Sequence, residues 1–283
     1  MKQVLRLSLV AIALAGIVVS SAVAVQYGEP DGDRHPAVGL VVFHDASGVP
    51  QWRCTGTLVD ADTFLTAGHC AESFTVSKAV IWFAAGPIAY SATYPGGGAP
   101  CGQHQGYPCT GDAVGKPISH PNWNGGLTIP NTHDVGVVQL TKPLKGHPTM
   151  AIASASYLDR LATARGTQDT TFRVVGYGLQ SVKPFLSAER TRMYGEVSLV
   201  NLTSALNDGY NVQYTSNPGE GNGSGGTCFG DSGGPVIHWD GTKEVIVGVN
   251  SFVLNSNCKG AGFAFRVDTA VSRDFLSKYT KLP

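Results

Sequence analysis

Short apolar runs alternate with turn-forming residues along most of this chain. The runs are rich in Val, Ile, Leu and Phe, and Gly, Pro, Asn or Asp stand at their ends. Many short strands separated by turns are typical of a β-barrel or a β-sandwich. The pattern therefore predicts an all-β fold. The predicted strands are 38–43, 57–59, 80–83, 135–140, 172–175, 236–239 and 245–249.

A helix is predicted only at the C-terminal end. Val267, Val271 and Phe275 repeat every four residues, as on one face of a helix. Asp268 or Thr269 can cap its first turn.

The first residues predict export. Lys2 and Arg6 precede an apolar run at 7–19, and small residues follow at 21–24. That order is typical of a secretory signal peptide, here residues 1–24, with a cleavage site of the Ala-x-Ala kind. A membrane anchor is the less favoured alternative, because the run is short for a bilayer span. We expect a secreted, extracellular protein that does not associate with a membrane after signal removal.

Composition narrows the functional classes. Charged residues make up 14% of the chain, the formal net charge is zero and there are 36 glycines. Abundant glycine suits an all-β protein with many turns, and the length allows one large domain or two smaller ones. No basic run marks a nucleic-acid surface, so no nucleic-acid partner is expected.

The six cysteines predict three disulfides in an exported protein, although free buried thiols are the alternative. Six cysteines permit 15 pairings, and spacing alone does not choose among them. Residues 94–115 are rich in Gly and Pro and are predicted to form a loop, which Cys101 and Cys109 would close locally.

The segment Gly230-Asp231-Ser232-Gly233-Gly234-Pro235 is the strongest candidate for chemistry. A nucleophilic serine needs an exposed hydroxyl and backbone N–H groups directed at the oxygen that becomes negative. Glycines allow the sharp turn that this requires. The alternative is a glycine-rich turn that happens to contain a serine.

A serine hydroxyl also needs a base, and the base needs an orienting acid. His69 follows the apolar run 63–65 in Thr-Ala-Gly-His-Cys, and Asp134 opens the predicted strand 135–140. Either residue alone is weak, because a His beside a Cys is often structural and an Asp before a strand is often a turn residue.

Together these motifs resemble the chymotrypsin-like (trypsin-fold) serine endopeptidases, over nearly all of residues 25–283. The order His, Asp, Ser is that of the family and differs from subtilisins and α/β-hydrolases. The matching segments are Thr-Ala-Gly-His-Cys at 66–70, His-Asp-Val-Gly-Val-Val at 133–138, Gly-Tyr-Gly at 176–178 and Gly-Asp-Ser-Gly-Gly-Pro at 230–235.

The resemblance implies a protease domain of two six-stranded antiparallel β-barrels and a C-terminal helix. The barrels would span about 25–145 and 146–266, and the helix 268–279. In this family Ser232 would attack the scissile carbonyl, His69 would transfer the proton and Asp134 would orient His69.

The N–H groups of Gly230 and Ser232 would form the oxyanion hole. The resemblance also implies two disulfides, Cys54–Cys70 and Cys228–Cys258, which leaves Cys101 and Cys109 for the third.

The resemblance implies an activation step as well. Family members become active when a new N-terminal amine pairs with the acid before the nucleophile, which is Asp231 here. Alignment places that amine on Val25, directly after Ala24. We therefore expect signal removal itself to create the activating amine, and the alternative is later trimming of a short tail.

The predicted specificity pocket contains Gly226, Ser251 and Val253. Gly226 occupies the family position where an acid would select Arg or Lys, and the side chain of Val253 would narrow the pocket. We expect cleavage after small or medium apolar residues, with substrate added as a strand beside 251–253.

The expected partners are polypeptide substrates and protein protease inhibitors, and the expected state is a monomer. No cofactor and no metal are expected. His104 and His120 could be metal ligands, but solvent-exposed loop histidines are the more ordinary interpretation. A catalytically silent binding protein and an esterase are the alternatives to a peptidase.

Overall fold

The computed structural model describes residues 25–88, 111–161, 169–216 and 225–283. The signal-peptide prediction, the proposed Cys101–Cys109 pair and His104 lie outside these residues. The first seven strands are β1 (Glu29–Pro30), β2 (Val38–His44), β3 (Pro50–Leu58), β4 (Thr63–Thr66), β5 (Lys78–Trp82), β6 (Ala113–Ser119) and β7 (Gly136–Leu140). The others are β8 (Ala151–Ile152), β9 (Thr171–Gly176), β10 (Met193–Asn201), β11 (Asn211–Ser216), β12 (Pro235–Trp239), β13 (Glu244–Val253) and β14 (Gly260–Arg266).

Six of these strands close the first barrel, in the order β2-β3-β4-β7-β6-β5 with antiparallel pairing throughout. All seven residues of β2 are buried. Successive side chains of a strand point to opposite faces. Val41 and Phe43 accordingly pack inside the first barrel, whereas Leu40 and Val42 join a cluster that also contains Val175 of the second barrel.

The second barrel closes through β9-β10-β11-β14-β13-β12, because β9 also pairs with β10. These six strands are antiparallel, and the short β1 and β8 add to β10 and β13. The prediction of two six-stranded antiparallel barrels is confirmed. An apolar cluster with residues from both barrels packs between them. Residues at the junction of the barrels therefore rest on a closely packed core.

Helix α1 (Ala270–Leu276) lies near the C-terminal end of the chain, and a 3-10 turn lies earlier at Leu158–Arg160. The side chain of Thr269 caps α1 by accepting from the N–H of Ser272. Phe275 and Leu276 pack into the cluster between the barrels. Among the described residues, no helix is long and apolar enough to span a membrane.

The predicted loop 94–115 is wrong at its C-terminal end, because residues 113–115 belong to β6. Gly115 and Pro117 are uncommon residues inside a strand, so the sequence pattern indicated a loop here. Proline lacks an N–H and is tolerated where a neighbouring strand is missing on one side. β5 pairs with β6 only at residues 113–115, so Pro117 has a ladder partner only in β7.

Candidate active site

Strand pairing in the first barrel brings His69 and Asp134 together. His69 follows the end of β4, and Asp134 precedes the start of β7. β4 and β7 are antiparallel, and Thr66 lies opposite Gly136. The end of one strand therefore lies beside the start of the other, and both side chains emerge at the same rim of the barrel.

Asp134 holds His69 through two hydrogen bonds. The Nδ1 of His69 lies 2.9 Å from Oδ2 of Asp134, and the backbone N–H of His69 donates to Oδ1 at 2.7 Å. Ser251 donates its hydroxyl to Oδ2 at 2.5 Å. Asp134 is fully buried, so these donors replace the water that its carboxylate has lost. The imidazole is thereby fixed with Nδ1 toward the acid and Nε2 free for chemistry.

The surrounding charges shift the pKa of His69. Burial of the ring acts to lower its pKa, but the negative charge and hydrogen bond of Asp134, with the charge of Glu72, outweigh that effect and raise the pKa of His69 above its usual value. Glu72 accepts from the indole N–H of Trp123 at 3.2 Å, and the Trp123 ring lies 6.2 Å from the imidazole. Sequence reasoning missed both residues, whose spacing carries no signal.

Ser232 stands on a glycine turn just before β12. Gly230 has φ +96° and Gly233 has φ +77°, the left-handed region that favours glycine. A Cβ on Gly233 would come within 2.1 Å of the Thr66 hydroxyl. Within the described residues, the N–H groups of Gly230 and Ser232 donate to no acceptor. The turn thus presents two unused backbone donors beside the half-buried Ser232.

His69 and Ser232 line one cavity of about 270 Å³. Its other lining residues carry no formal charge: Leu127, Thr227, Cys228, Phe229, Asn250, Ser251, Phe252 and Val253. No hydrogen bond joins the Ser232 hydroxyl to the imidazole in this structure. Apart from the imidazole of His69, the lining of this cavity therefore has no titratable side chain.

Two of the three predicted specificity residues line this cavity, and the third does not. Ser251 and Val253 line the cavity, and Phe252 stacks on Phe263 at 4.5 Å between ring centroids. Gly226 does not itself line it. The Gly226 backbone pairs with Gln26, and a Cβ there would come within 2.1 Å of the Ser216 hydroxyl. A side chain at position 226 is therefore excluded unless that hydroxyl moves.

Asp231 is the second buried acid of the site. Its carboxylate accepts from the N–H of Gly178 at 2.8 Å and of Cys228 at 2.9 Å. Burial raises the pKa of Asp231 to about 7, although these two hydrogen bonds and the charge of Arg53 act to lower it. Val25 is also fully buried.

Two disulfides flank the site. Cys54–Cys70 ties β3 to the turn that carries His69, and Cys228–Cys258 ties the serine loop to the segment before β14. These are the pairings that the resemblance implies. Cys54, His69 and Cys70 offer metal-donor atoms within 4.8 Å of one another, but the disulfide occupies both sulfurs.

His120 belongs to a packed polar pair. Its Nδ1 accepts from the N–H of Asn122 at 3.1 Å, and its ring stacks on His133. Burial and the neighbouring His133 lower the pKa of His120 to about 4. His120 is only 6% exposed, so the expectation of a solvent-exposed loop histidine is wrong for this residue.

Two joined antiparallel barrels, with a His–Asp pair on one and a serine-bearing glycine turn on the other, define the chymotrypsin-like class of serine endopeptidases. A sequence model of the trypsin family matches residues 30–273, and the chain belongs to that family. It is a serine-type endopeptidase, a hydrolase that acts on polypeptide substrates.

The solved structure of HL collagenase has a similar fold. The two chains share 18% sequence identity with a TM-score of 0.60, and the match covers 90% of this chain and 97% of the collagenase. At this identity the likeness bears on the fold alone.

Proposed function

We propose that Ser232, His69 and Asp134 form the catalytic triad of a secreted endopeptidase. The observation that carries the proposal is the bidentate hold of Asp134 on His69 in a cavity that His69 shares with Ser232. In this scheme the acid fixes the tautomer of the base, and the base faces the hydroxyl.

The reaction follows from the atoms present. Ser232 Oγ attacks the peptide carbonyl while Nε2 of His69 takes its proton. The N–H groups of Gly230 and Ser232 donate to the resulting oxyanion. As the C–N bond breaks, Nε2 returns the proton to the leaving amine, and Asp134 stabilises the imidazolium in between. Water then repeats the sequence on the acyl-enzyme and frees Ser232.

Hydrolysis of a peptide substrate by the purified protein, compared with Ser232→Ala, tests this proposal. We expect the kcat of Ser232→Ala to fall by about a millionfold, the effect of removing the nucleophile in a comparable triad. A variant that keeps more than a tenth of the wild-type activity would refute the role of Ser232.

We also propose cleavage after small or medium apolar residues rather than after Arg or Lys. Burying a cation without a partner is costly, and the described lining of the cavity offers no carboxylate. Val253 and Phe252 supply apolar walls. A panel of peptides that differ only before the cut tests this, and faster cleavage after Arg or Lys than after Ala, Val or Leu contradicts it.

Secretion and activation form one further proposal. Removal of residues 1–24 would leave an amine on Val25, and that amine would pair with Asp231. The buried position of Val25 and the pairing of Gln26 with Gly226 support an ordered start of the chain at this point. N-terminal sequencing of the secreted, active protein tests it, and fully active material that begins at another residue contradicts it.

A further inference from the structure

Thr55 links the first barrel to the loop that carries Ser232. It lies in β3 and is fully buried. Its hydroxyl donates to the carbonyl of Gly230 at 2.8 Å, and its backbone N–H donates to the carbonyl of Ser232 at 2.8 Å. One residue of the first barrel therefore contacts both residues whose N–H groups are unused.

The Thr55 hydroxyl holds the carbonyl end of the one peptide plane that lies between these two donors. The N–H of that plane belongs to Asp231 and donates to the carbonyl of Cys228 at 3.0 Å. The plane before it is fixed by the carbonyl of Phe229, which accepts from the N–H of Leu179 at 2.8 Å. The plane after it is fixed by the carbonyl of Asp231, which accepts from the N–H of Gly234 at 2.9 Å. Glycine at 230 imposes little steric restraint on the peptide between.

The same hydroxyl accepts a hydrogen bond from the backbone of a second loop. The N–H of Tyr177 donates to Thr55 Oγ1 at 3.0 Å. The neighbouring Gly178 donates its N–H to Asp231, so this loop also contacts the serine turn. The phenol of Tyr177 is anchored on the first barrel, where it donates to the carbonyl of Ala84 at 2.7 Å. The hydroxyl of Thr55 thus joins two loops of the second barrel at one buried point.

We propose that Thr55 is a positioning residue for the oxyanion hole, acting through the carbonyl of Gly230 and the N–H of Tyr177. This inference rests on the proposed roles of Ser232 and Gly230. Loss of the hydroxyl leaves the buried N–H of Tyr177 and the partly buried carbonyl of Gly230 without their partner, which favours rotation of the Gly230–Asp231 peptide. Such a rotation misaligns donors that act on the transition state, so it lowers kcat and leaves KM nearly unchanged.

The experiment compares three substitutions in β3. Thr55→Val removes the hydroxyl with little change of shape, and Thr55→Ser keeps it. Thr57→Val is the matched control, because Thr57 is 1% exposed and its hydroxyl has no partner in the described part of the chain. Active-site titration normalises each rate to folded enzyme, and Thr55→Ala replaces Thr55→Val if the latter does not fold.

We expect kcat of Thr55→Val to fall by about ten- to a hundred-fold, with KM within about two-fold of the wild type. A peptide aldehyde forms a hemiacetal whose oxygen occupies the oxyanion hole, so its affinity should fall by the same factor as kcat/KM. Thr55→Ser and Thr57→Val should keep kcat within about two-fold of the wild type.

Three results overturn the inference. The first is an unchanged kcat in Thr55→Val, and the second is an equal loss of kcat in Thr57→Val. The third is a higher KM of Thr55→Val with an unchanged affinity for the aldehyde. Failure of the proposed function looks different, because then wild-type hydrolysis would survive the Ser232→Ala substitution. If the wild type depends on Ser232 and Thr55→Val does not alter kcat, only the role of Thr55 is lost.

Discussion

The His69–Asp134 pair is held by neighbouring strands of the first barrel, whereas Ser232 stands on a glycine turn of the second. Asp134 is buried and accepts from three donors. Asp231, beside the serine, accepts two backbone N–H groups, and no described side chain forms an ion pair with it. The first half of the site therefore has its partners in place, and the second half has a buried acid whose charge is not balanced by a contact.

This difference predicts how each half responds to change. Substitutions in the first half should affect chemistry in every form of the protein. Substitutions at Asp231 should have opposite effects before and after the amine of Val25 is released, because only the released amine can pair with the acid.

The largest effect is expected for Asp134→Asn. The amide keeps the shape but favours the wrong tautomer of His69, and a comparable substitution lowers kcat by about ten-thousand-fold. Steady-state kinetics with a peptide substrate measure the change. Asp112→Asn is the control, because the Asp112 carboxylate accepts from the backbone N–H of Phe83 in another part of the first barrel. This substitution should leave kcat unchanged. A loss of less than tenfold in Asp134→Asn would contradict the assignment of the orienting acid.

A smaller but more diagnostic effect is expected for Asp231→Asn. The pKa of Asp231 is raised to about 7 from 3.8. Because this pKa is raised in the folded state, Asp231 contributes stability that is fully present below pH 3.8 and is lost as pH rises through 7. Consider the form of the protein in which further residues precede Val25. In this form, the negative charge of Asp231 lowers the free energy of unfolding at pH 8 by about 4 kcal/mol.

In that extended form, Asp231→Asn should therefore raise the unfolding free energy at pH 8 and abolish its fall between pH 4 and 7. In the form that begins at Val25, the same substitution should lower both stability and kcat, since it would remove the proposed partner of the amine. Urea unfolding of both forms at several pH values measures this crossover. Destabilisation of both forms alike would show that Asp231 has no separate role in activation.

The smallest effect is expected for Glu72→Gln. In the proposed mechanism neutral His69 acts as the base, and its pKa is raised, so we expect kcat/KM to fall with decreasing pH at a midpoint above about 6.5. Removing the charge of Glu72 should lower that midpoint by a fraction of a pH unit. Glu196→Gln, a half-exposed acid that pairs with Arg173 of the second barrel, serves as the control and should not move it. An identical midpoint in the wild type and Glu72→Gln would show that the charge of Glu72 does not influence His69.

Strands with strong apolar runs were predictable from the sequence, and the others were not. β2 and β7 are nearly all buried and show continuous Val-rich runs. β10, β11 and β14 carry Gly, Asn, Ser or Gln at several positions, so their strand character depends on pairing with neighbours that are distant in the chain.

The same distinction holds for the site. His69, Asp134 and Ser232 stand in sequence motifs that predict them as site residues. Thr55 has no motif, because its contacts with Gly230 and Tyr177 arise only when the barrels pack together. The family resemblance predicted that Ser251 binds substrate, but its hydrogen bond to Asp134 could not be predicted from the spacing.

Covalent labelling tests the comparison between the two halves most directly. The protein that begins at Val25 is treated with a fluorophosphonate at pH 8, and the labelled residue is located by mass spectrometry of peptides. We expect a single label on Ser232, formed much more slowly in Asp134→Asn and absent in Ser232→Ala. A label on another residue, or no label in material that hydrolyses peptides, would contradict it.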